Sequence, residues 1–254
     1  MTMYDVRRAA PAVLVSLLVA ALGTGCGSAT AARTQPSPAG QAQAAPSASA
    51  RPAAPVFPAY AATAKVPDVA IYTAPAGTVS RTLANPLPSG APLTFLLAHR
   101  SGTWLQVYLP TRPNGSTGWV RAGDVVLAGL PYRLDVLRHA HQLRLYRFGT
   151  LIHVYPIAVG KTDTPTPGGT FYLKELLRPT NGGGIYGPYA FGLSGFSNAL
   201  STFGGGEAVI GLHGTNDEST IGRDVSHGCI RLHNKDITAL AHLLPLGTPV
   251  RILA

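Results

Sequence analysis

The chain has few charged residues and few cysteines, and each shortage argues against one class of protein. Charged side chains make up only 12% of its 254 residues and form no runs of Lys or Arg. The net charge of +9 is therefore dispersed, which suits an anionic membrane or wall surface better than a dedicated nucleic-acid groove. Two cysteines, Cys26 and Cys229, are too few for a framework of structural disulfides.

The sequence also has few long apolar stretches with a helical period. Instead it contains 29 glycines and 22 prolines, which favour a turn-rich, mainly β protein over a helical one. The length allows two modest domains besides terminal segments.

Residues 1–25 have the features of an export signal. Arg7 and Arg8 precede the apolar segment Ala9–Leu22, about 14 residues long, whereas a membrane-spanning helix needs roughly 20. Because small residues lead directly to Cys26, the segment resembles a bacterial lipoprotein signal, which implies that Cys26 is lipidated. An ordinary cleaved signal is the alternative, with the protein secreted to the wall.

Residues 26–60 consist almost entirely of Ala, Pro, Ser, Gln, Gly and Thr. Such a composition buries too little apolar surface to offset the entropy of ordering, so we expect a disordered tether. With the signal it predicts an extracytoplasmic protein of the cell envelope that is held to the membrane by its lipid.

Residues 61–129 show short apolar segments separated by turn signals. In Trp104–Leu109 the apolar residues Leu105, Val107 and Leu109 alternate with the other side chains, as in a half-buried strand. A series of such hairpins predicts a small barrel. The order of the segments, ending in Gly118-Trp-Val120, resembles that of bacterial SH3-like domains.

Residues 130–254 again alternate between strands and turns. The pattern predicts a hairpin over Gln142–Tyr155, a strand at Thr170–Lys174, and a strand over Glu207–His213. Residues 181–206 are rich in glycine and lack a period, so we expect a lid or substrate-binding loop there. After Cys229, Asn234 is predicted to cap a short helix.

Cys229 is the leading candidate for a catalytic group. A thiol with a pKa near 8.5 is only a few per cent ionised at neutral pH, so a nucleophilic cysteine needs a neighbouring base. His213, at the end of a predicted strand, can become that neighbour when two strands pair. Gly228 permits a backbone turn that directs the N–H groups of Gly228 and Cys229 towards an oxyanion.

The segments His213-Gly-Thr215 and Ser226-His-Gly-Cys-Ile-Arg231 resemble the signature of the L,D-transpeptidase (YkuD-type) catalytic domain. This resemblance implies a β-sandwich with a short helix after the catalytic cysteine. It also implies that Cys229 is the nucleophile and His213 the base, with the second nitrogen of the base held by the carbonyl of Gly214. The pocket and oxyanion site would be shaped by Ser226, His227 and Gly228.

The resemblance further implies an acyl transfer on peptidoglycan stem peptides that forms 3-3 crosslinks through a thioester on Cys229. No metal, nucleotide or other cofactor is required. Carbapenems are expected to acylate the same thiol. Arg231 is a candidate contact for a substrate carboxylate, or else an anchor for the loop, and Tyr186 is a candidate substrate contact on the glycine-rich segment.

Three alternatives remain at this point. An L,D-carboxypeptidase would transfer the acyl group to water instead of an amine. A non-catalytic wall-binding protein would have lost its activity, although the motif is intact. A zinc site could use His213, His227, Cys229 and His233, but their spacing matches no paired pattern of structural zinc ligands.

Overall fold

The computed structural model of the chain describes residues 58–254. The predicted signal peptide, the predicted lipidation site Cys26 and most of the predicted tether lie outside these residues. The described part is mainly β, as the sequence predicts. Within residues 58–254, no helix is long and apolar enough to cross a membrane.

The first sheet comprises seven strands. They are β1 (Ala59–Ala64), β2 (Asp68–Tyr72), β3 (Val79–Ala84), β4 (Thr94–Ser101), β5 (Trp104–Tyr108), β6 (Thr117–Arg121) and β7 (Val125–Leu130). They are all antiparallel in the order β3-β2-β6-β5-β4-β1-β7. Because β1 begins at Ala59, two residues assigned to the tether belong to a strand.

The alternation predicted for β5 is confirmed. Leu105 and Val107 are fully buried, whereas Trp104 and Gln106 on the other face are half-buried. The buried face packs with Val69, Ile71 and the other members of one apolar cluster. The assignment of this region as an SH3-like domain stays a prediction.

The remaining strands and the helix follow from residue 132. They are β8 (Tyr132–Leu137), β9 (Gln142–Arg147), β10 (Thr150–Pro156), β11 (Val159–Gly160), β12 (Gly169–Leu177), β13 (Ala190–Phe196), β14 (Thr202–Phe203), β15 (Gly206–Glu207), β16 (Val209–His213), β17 (Asp224–Ser226), β18 (Ile230–Arg231), α1 (Asn234–Leu243) and β19 (Pro249–Leu253). Eight of these strands form the second sheet, in the order β10-β9-β8-β19-β12-β13-β16-β18. The predicted hairpin over Gln142–Tyr155 is confirmed as β9 and β10.

Strand β12 divides the second sheet into two halves. Its first residues pair with β19, and after a bulge between Leu173 and Glu175 its last residues pair with β13. Both halves contribute to one apolar core, into which α1 inserts Ile237 and Leu240. This arrangement agrees with the predicted sandwich followed by a short helix.

The glycine-rich stretch 181–206 is not a continuous loop, and that prediction was wrong in its middle. All seven residues of β13 are buried. A strand covered on both faces shows no alternation, so its pattern carries no period. Gly195 faces the ring of Phe171 so closely that a Cβ would overlap the ring, which explains a glycine inside a central strand.

Candidate active site

The pairing of β16 with β18 brings His213 and Cys229 together. The two strands are parallel, with His213 opposite Arg231, and Cys229 immediately precedes β18. A Cβ placed on Gly211 would lie 3.1 Å from His213 Cδ2 and 3.5 Å from Cys229 Sγ. Both side chains therefore border the same small space in front of β16, which only a glycine at position 211 leaves open.

The hydrogen bond of His213 fixes its tautomer. Its Nδ1 lies 2.6 Å from the carbonyl oxygen of Gly214. Since a carbonyl oxygen only accepts, Nδ1 carries the proton, and Nε2 of the neutral ring keeps its lone pair. Gly214 thus occupies the position that the family resemblance implied for it.

His213 is held in its neutral form by its surroundings. The side chain is 3% exposed, and this burial lowers its pKa to about 4. The hydrogen bond to Gly214 opposes the shift, whereas the nearby charge of Arg231 adds to it. At neutral pH the imidazole is therefore uncharged, and its Nε2 can accept a proton.

The carbonyl of Gly214 is itself positioned by Asn234. Asn234 Oδ1 accepts a hydrogen bond from the Thr215 N–H at 2.9 Å, and its Nδ2 donates to the Thr215 carbonyl at 2.8 Å. The side chain thus bonds to both backbone groups of one fully buried residue. Sequence reasoning missed this role because the two positions are separated by 19 residues.

The prediction that Asn234 caps α1 was wrong. The helix begins at Asn234, and the preceding residue His233 forms no side-chain cap. Instead, Glu218 Oε1 accepts from the Asn234 N–H at 2.7 Å, and its Oε2 lies 2.9 Å from His233 Nδ1. The cap is therefore a distant carboxylate, which also benefits from the positive end of the helix, and the amide of Asn234 is left to bind Thr215.

Cys229 lies on a tightly bonded loop. Ser226 Oγ accepts from the Gly228 N–H at 3.1 Å and donates to the Cys229 carbonyl at 2.6 Å. Thr166 Oγ1 donates to the Gly228 carbonyl at 2.9 Å. Gly228 has a φ of 115°, a conformation in which a side chain would be strained. The loop is thus held by Ser226 from within and by Thr166 from another segment. The sequence around Thr166 gave no signal for this supporting role.

One predicted oxyanion donor is already engaged. The Gly228 N–H donates to Ser226 Oγ, so it is not free for a substrate oxygen in this structure. The prediction for Gly228 is corrected in this respect, and the N–H of Cys229 is left as the candidate donor. The hydroxyl of Ser226 holds the loop in shape through its two bonds to the backbone.

The thiol of Cys229 is protonated in the resting site. Burial raises its pKa, although a hydrogen bond from the Gly211 N–H to Sγ, at 3.3 Å, and the charge of Arg231 act in the opposite direction. A neutral thiol therefore faces a neutral imidazole, and the resting pair is not a thiolate–imidazolium ion pair.

Two cavities meet at Cys229 and His213. The larger has a volume of about 530 Å³ and extends along Glu175, Arg178 and Gly192. The smaller has a volume of about 40 Å³ and includes Arg231 and His227. The residues that border both are Tyr186, Phe203, Val209, His213 and Cys229.

Tyr186 and the hairpin β14–β15 form one side of these cavities. The ring of Tyr186 meets that of His213 edge-on, with centroids 5.0 Å apart. Phe203 lies at the hairpin, 5.6 Å from the ring of His227. Two parts of the glycine-rich stretch thus border the cavities, one around Tyr186 and one at residues 201–207, and every residue of the second part is exposed. Their role as a lid or substrate-binding loop stays a prediction.

Arg231 is anchored by its backbone and not by its guanidinium. Its N–H donates to the Ala158 carbonyl at 2.9 Å, and its carbonyl accepts from the Ala158 N–H at 3.0 Å. Within residues 58–254 its buried Nε has no hydrogen-bond partner. The side chain thus points a cation with an unused donor at the smaller cavity.

The alternative of a zinc site finds no ligand set in the described part of the chain. Residues 58–254 contain no group of three or more His, Cys, Asp or Glu side chains placed to hold a metal ion. His233 pairs with Glu218, and His227 lies against Phe203.

In this site a buried, neutral imidazole lies beside a thiol, and the thiol is carried by a loop that a serine hydroxyl and a glycine hold in shape. This arrangement is typical of a cysteine acyltransferase. Residues 131–252 match the family model of the L,D-transpeptidase catalytic domain. The YkuD protein of Bacillus licheniformis, which is named as an L,D-transpeptidase, is 40% identical over 157 residues, covering 59% of this chain and 87% of that protein. YkuD of Bacillus subtilis is 38% identical over 150 residues, covering 57% and 83%.

Among solved structures, L,D-transpeptidase 3 from Mycobacterium tuberculosis in complex with a faropenem-derived adduct is 18% identical, with a TM-score of 0.41, over 57% of this chain and 76% of that chain. The match to the Bacillus proteins shows that this chain belongs to the L,D-transpeptidase family, whose members are cysteine-dependent acyltransferases of peptidoglycan. The resemblance seen in Ser226-His-Gly-Cys229 is thus confirmed.

Proposed function

We propose that Cys229 and His213 exchange a D-alanine for a second stem peptide and so form 3-3 crosslinks in peptidoglycan. The observation that carries this assignment is the hydrogen bond from His213 Nδ1 to Gly214, because it leaves the basic Nε2 available in a site shared with the thiol. General base catalysis of this kind typically contributes about 10²–10⁴-fold to a rate.

The first half-reaction forms the thioester. As Cys229 Sγ attacks the carbonyl that joins the third stem residue to D-Ala, its proton passes to His213 Nε2. The tetrahedral intermediate collapses when the C–N bond breaks, and His213 returns the proton to the departing D-Ala amine. The N–H of Cys229 is the donor we assign to the oxyanion.

The second half-reaction reverses these roles. The side-chain amine of another stem attacks the thioester, His213 takes a proton from that amine, and the C–S bond breaks. The sulfur recovers the proton, so the cycle ends with a neutral thiol and a neutral imidazole. One amide is exchanged for another, and no external energy source is needed.

We assign Arg231 to the carboxylate of the terminal D-Ala. Its backbone already anchors the strand, and its buried Nε is unbonded within the described residues. An arginine fork matches a carboxylate. We assign the smaller cavity, which Arg231 borders, to the terminal D-Ala and the larger cavity, of about 530 Å³, to the stem peptide.

The N-terminal segments support a role in the envelope. We propose that residues 1–25 direct export, that Cys26 carries a lipid and that residues 26–58 form a tether into the wall. We further propose that the first sheet is an SH3-like domain that binds wall components. The dispersed positive charge of the chain favours residence near anionic polymers.

The full-length protein and a Cys229→Ala variant can be incubated with a carbapenem and measured by intact mass. We expect one covalent adduct on the parent and none on the variant. An adduct on both proteins, or on neither, would contradict the assignment of Cys229.

An L,D-carboxypeptidase is the second candidate, since water can resolve the same thioester. Product analysis with purified muropeptides separates the two activities. Dimers joined through two third-position residues indicate crosslinking, whereas tripeptide monomers alone indicate hydrolysis. We expect dimers, because two cavities converge on the thiol.

A further inference from the structure

The connection between β5 and β6, residues 109–116, reaches from the first sheet to the second. Asn114 Oδ1 accepts from the Phe196 N–H at 2.9 Å, and Asn114 Nδ2 donates to the Phe196 carbonyl at 2.7 Å. Nδ2 also lies 3.1 Å from Asn198 Oδ1. The side chain of Asn114 thus bonds to both backbone groups of the last residue of β13.

Arg112 extends this contact along the chain. Its Nη1 donates to the Ser197 carbonyl and its Nη2 to the Leu200 carbonyl, each at 2.9 Å. The guanidinium carbon also lies 5.0 Å from the centre of the Phe196 ring. One planar, preorganised group therefore fixes two carbonyls three residues apart.

The residues that Arg112 and Asn114 contact lead directly into residues 197–208, which form part of the wall of the substrate cavities. This segment contains the hairpin β14–β15, whose Phe203 borders both cavities. The hydrogen bonds within residues 197–208 are local: Ser197 Oγ accepts from the N–H groups of Ala199 and Leu200, the Ser197 N–H donates to the Ala208 carbonyl at 2.8 Å, and β14 pairs with β15.

The exposed hairpin depends on how its base is held. Residues 201–207 are all exposed, so little burial supports them. The contacts from Arg112 and Asn114 lie at the stem of the hairpin, between Phe196 and Leu200. Because the hairpin continues from this stem, a small displacement of the stem backbone also displaces the hairpin tip. Orienting the stem therefore orients Phe203 over the cavities.

The two sheets do not need these bonds to stay together. Tyr172 of β12 packs with Ala61, Leu96 and Leu130 of the first sheet in a separate apolar cluster. Gly247 also lies against Ala61, where a Cβ would be only 2.7 Å away. Loss of the polar contacts at residues 112 and 114 should thus alter the hairpin more than the association of the sheets.

We propose that Arg112 and Asn114 are positioning residues through which the first sheet sets the substrate cavities of the second. The proposal rests on the assignment of those cavities to stem peptides. It predicts an effect on substrate binding, because the hydrogen bonds of His213 and Cys229 belong to other segments.

The test uses the full chain with both residues replaced, Arg112→Ala and Asn114→Ala. Amide hydrogen exchange of residues 199–208 is expected to become about tenfold faster, and KM for the muropeptide to rise about tenfold with kcat little changed. The pH dependence of the alkylation of Cys229 by iodoacetamide should keep the parent's shape, since neither substituted residue contacts the thiol or His213.

Two further variants serve as controls. Arg81→Ala removes an exposed arginine from β3 and should leave all three measurements unchanged. Arg112→Lys keeps the charge but cannot bond both carbonyls in the same fork, so an intermediate exchange rate is expected.

Parent-like exchange and parent-like KM in the double variant would overturn the proposal. A lower melting temperature accompanied by an altered pH dependence of alkylation would also overturn it, since the contacts would then be merely structural. If the parent lacks transfer activity, the proposed function fails, and the exchange rate of residues 199–208 still decides whether the contact positions the hairpin.

Discussion

Two asparagines each bond to both backbone groups of a single residue, but they act on different parts of the site. Asn234 holds Thr215, which is fully buried and follows the carbonyl that orients the base. Asn114 holds Phe196, from which an exposed hairpin extends over the cavities. The same side-chain geometry thus supports the chemistry in one region and the substrate wall in the other.

The difference lies in where each support originates. Asn234 begins the helix α1, and its own N–H is bonded to Glu218, so the catalytic region is fixed by residues that lie after position 132. Asn114 belongs to the first sheet. The comparison indicates that reactivity is an internal property of the catalytic region, whereas substrate fit depends on its neighbour.

The largest expected effect concerns the resting charge of the catalytic region. Because burial raises the pKa of Cys229 and lowers that of His213, the proton stays on sulfur. Below the pKa the thiolate fraction changes about tenfold per pH unit, so alkylation of Cys229 by iodoacetamide should rise about a thousandfold from pH 6 to pH 9.

Iodoacetamide rates measured across this range, with Cys229→Ala as the blank, check the prediction. A plateau between pH 6 and pH 8 would show a thiolate–imidazolium pair and contradict the neutral one. Since the pKa of His213 is lowered to about 4, the base should also remain competent at pH 5, and the transfer rate should show no acidic limb near pH 6.5.

The next effect comes from Asn234→Ala. The N–H and carbonyl of Thr215 would lose their partners in a buried position, at a cost of about 1–3 kcal/mol for each unsatisfied group. We expect a lower melting temperature and a kcat reduced about a hundredfold, because the Gly214 carbonyl no longer orients His213.

Steady-state kinetics of Asn234→Ala and Asn114→Ala measured side by side sharpen the comparison. The first should lower kcat and the second should raise KM. The exposed Arg81→Ala, on β3, serves again as a control for an alanine substitution. If both asparagine variants change the same constant, the two regions are not separate.

The smallest effect is expected from Gly211→Ala. The added methyl group would lie 3.1 Å from His213 Cδ2, which forces the ring or the strand to move by a few tenths of an ångström. Activity should fall about tenfold with little change in melting temperature. Gly123→Ala, whose methyl group would meet nothing within 4 Å, is the matched control. Full activity of Gly211→Ala would show that the catalytic region tolerates displacement.

Local patterns predicted much of the fold. The alternation in β5 and the hairpin β9–β10 follow from side chains with one buried face, and the helix after Cys229 follows from its apolar spacing. Strand β13 was missed because it is buried on both faces and contains glycines that accommodate neighbouring side chains. Its residues are dictated by what packs against them, and that information is not local.

By itself the sequence determined the chemistry: a thiol at Cys229, a histidine at the end of a strand and a glycine-bent loop whose motif defines the family. Only the tertiary structure decided which groups hold that chemistry in place. Asn234, Thr166, Arg112 and Asn114 act through hydrogen bonds to backbone groups far away in the chain. A backbone carbonyl or N–H is the same at every position, so no side-chain pattern could reveal which of them these residues would reach.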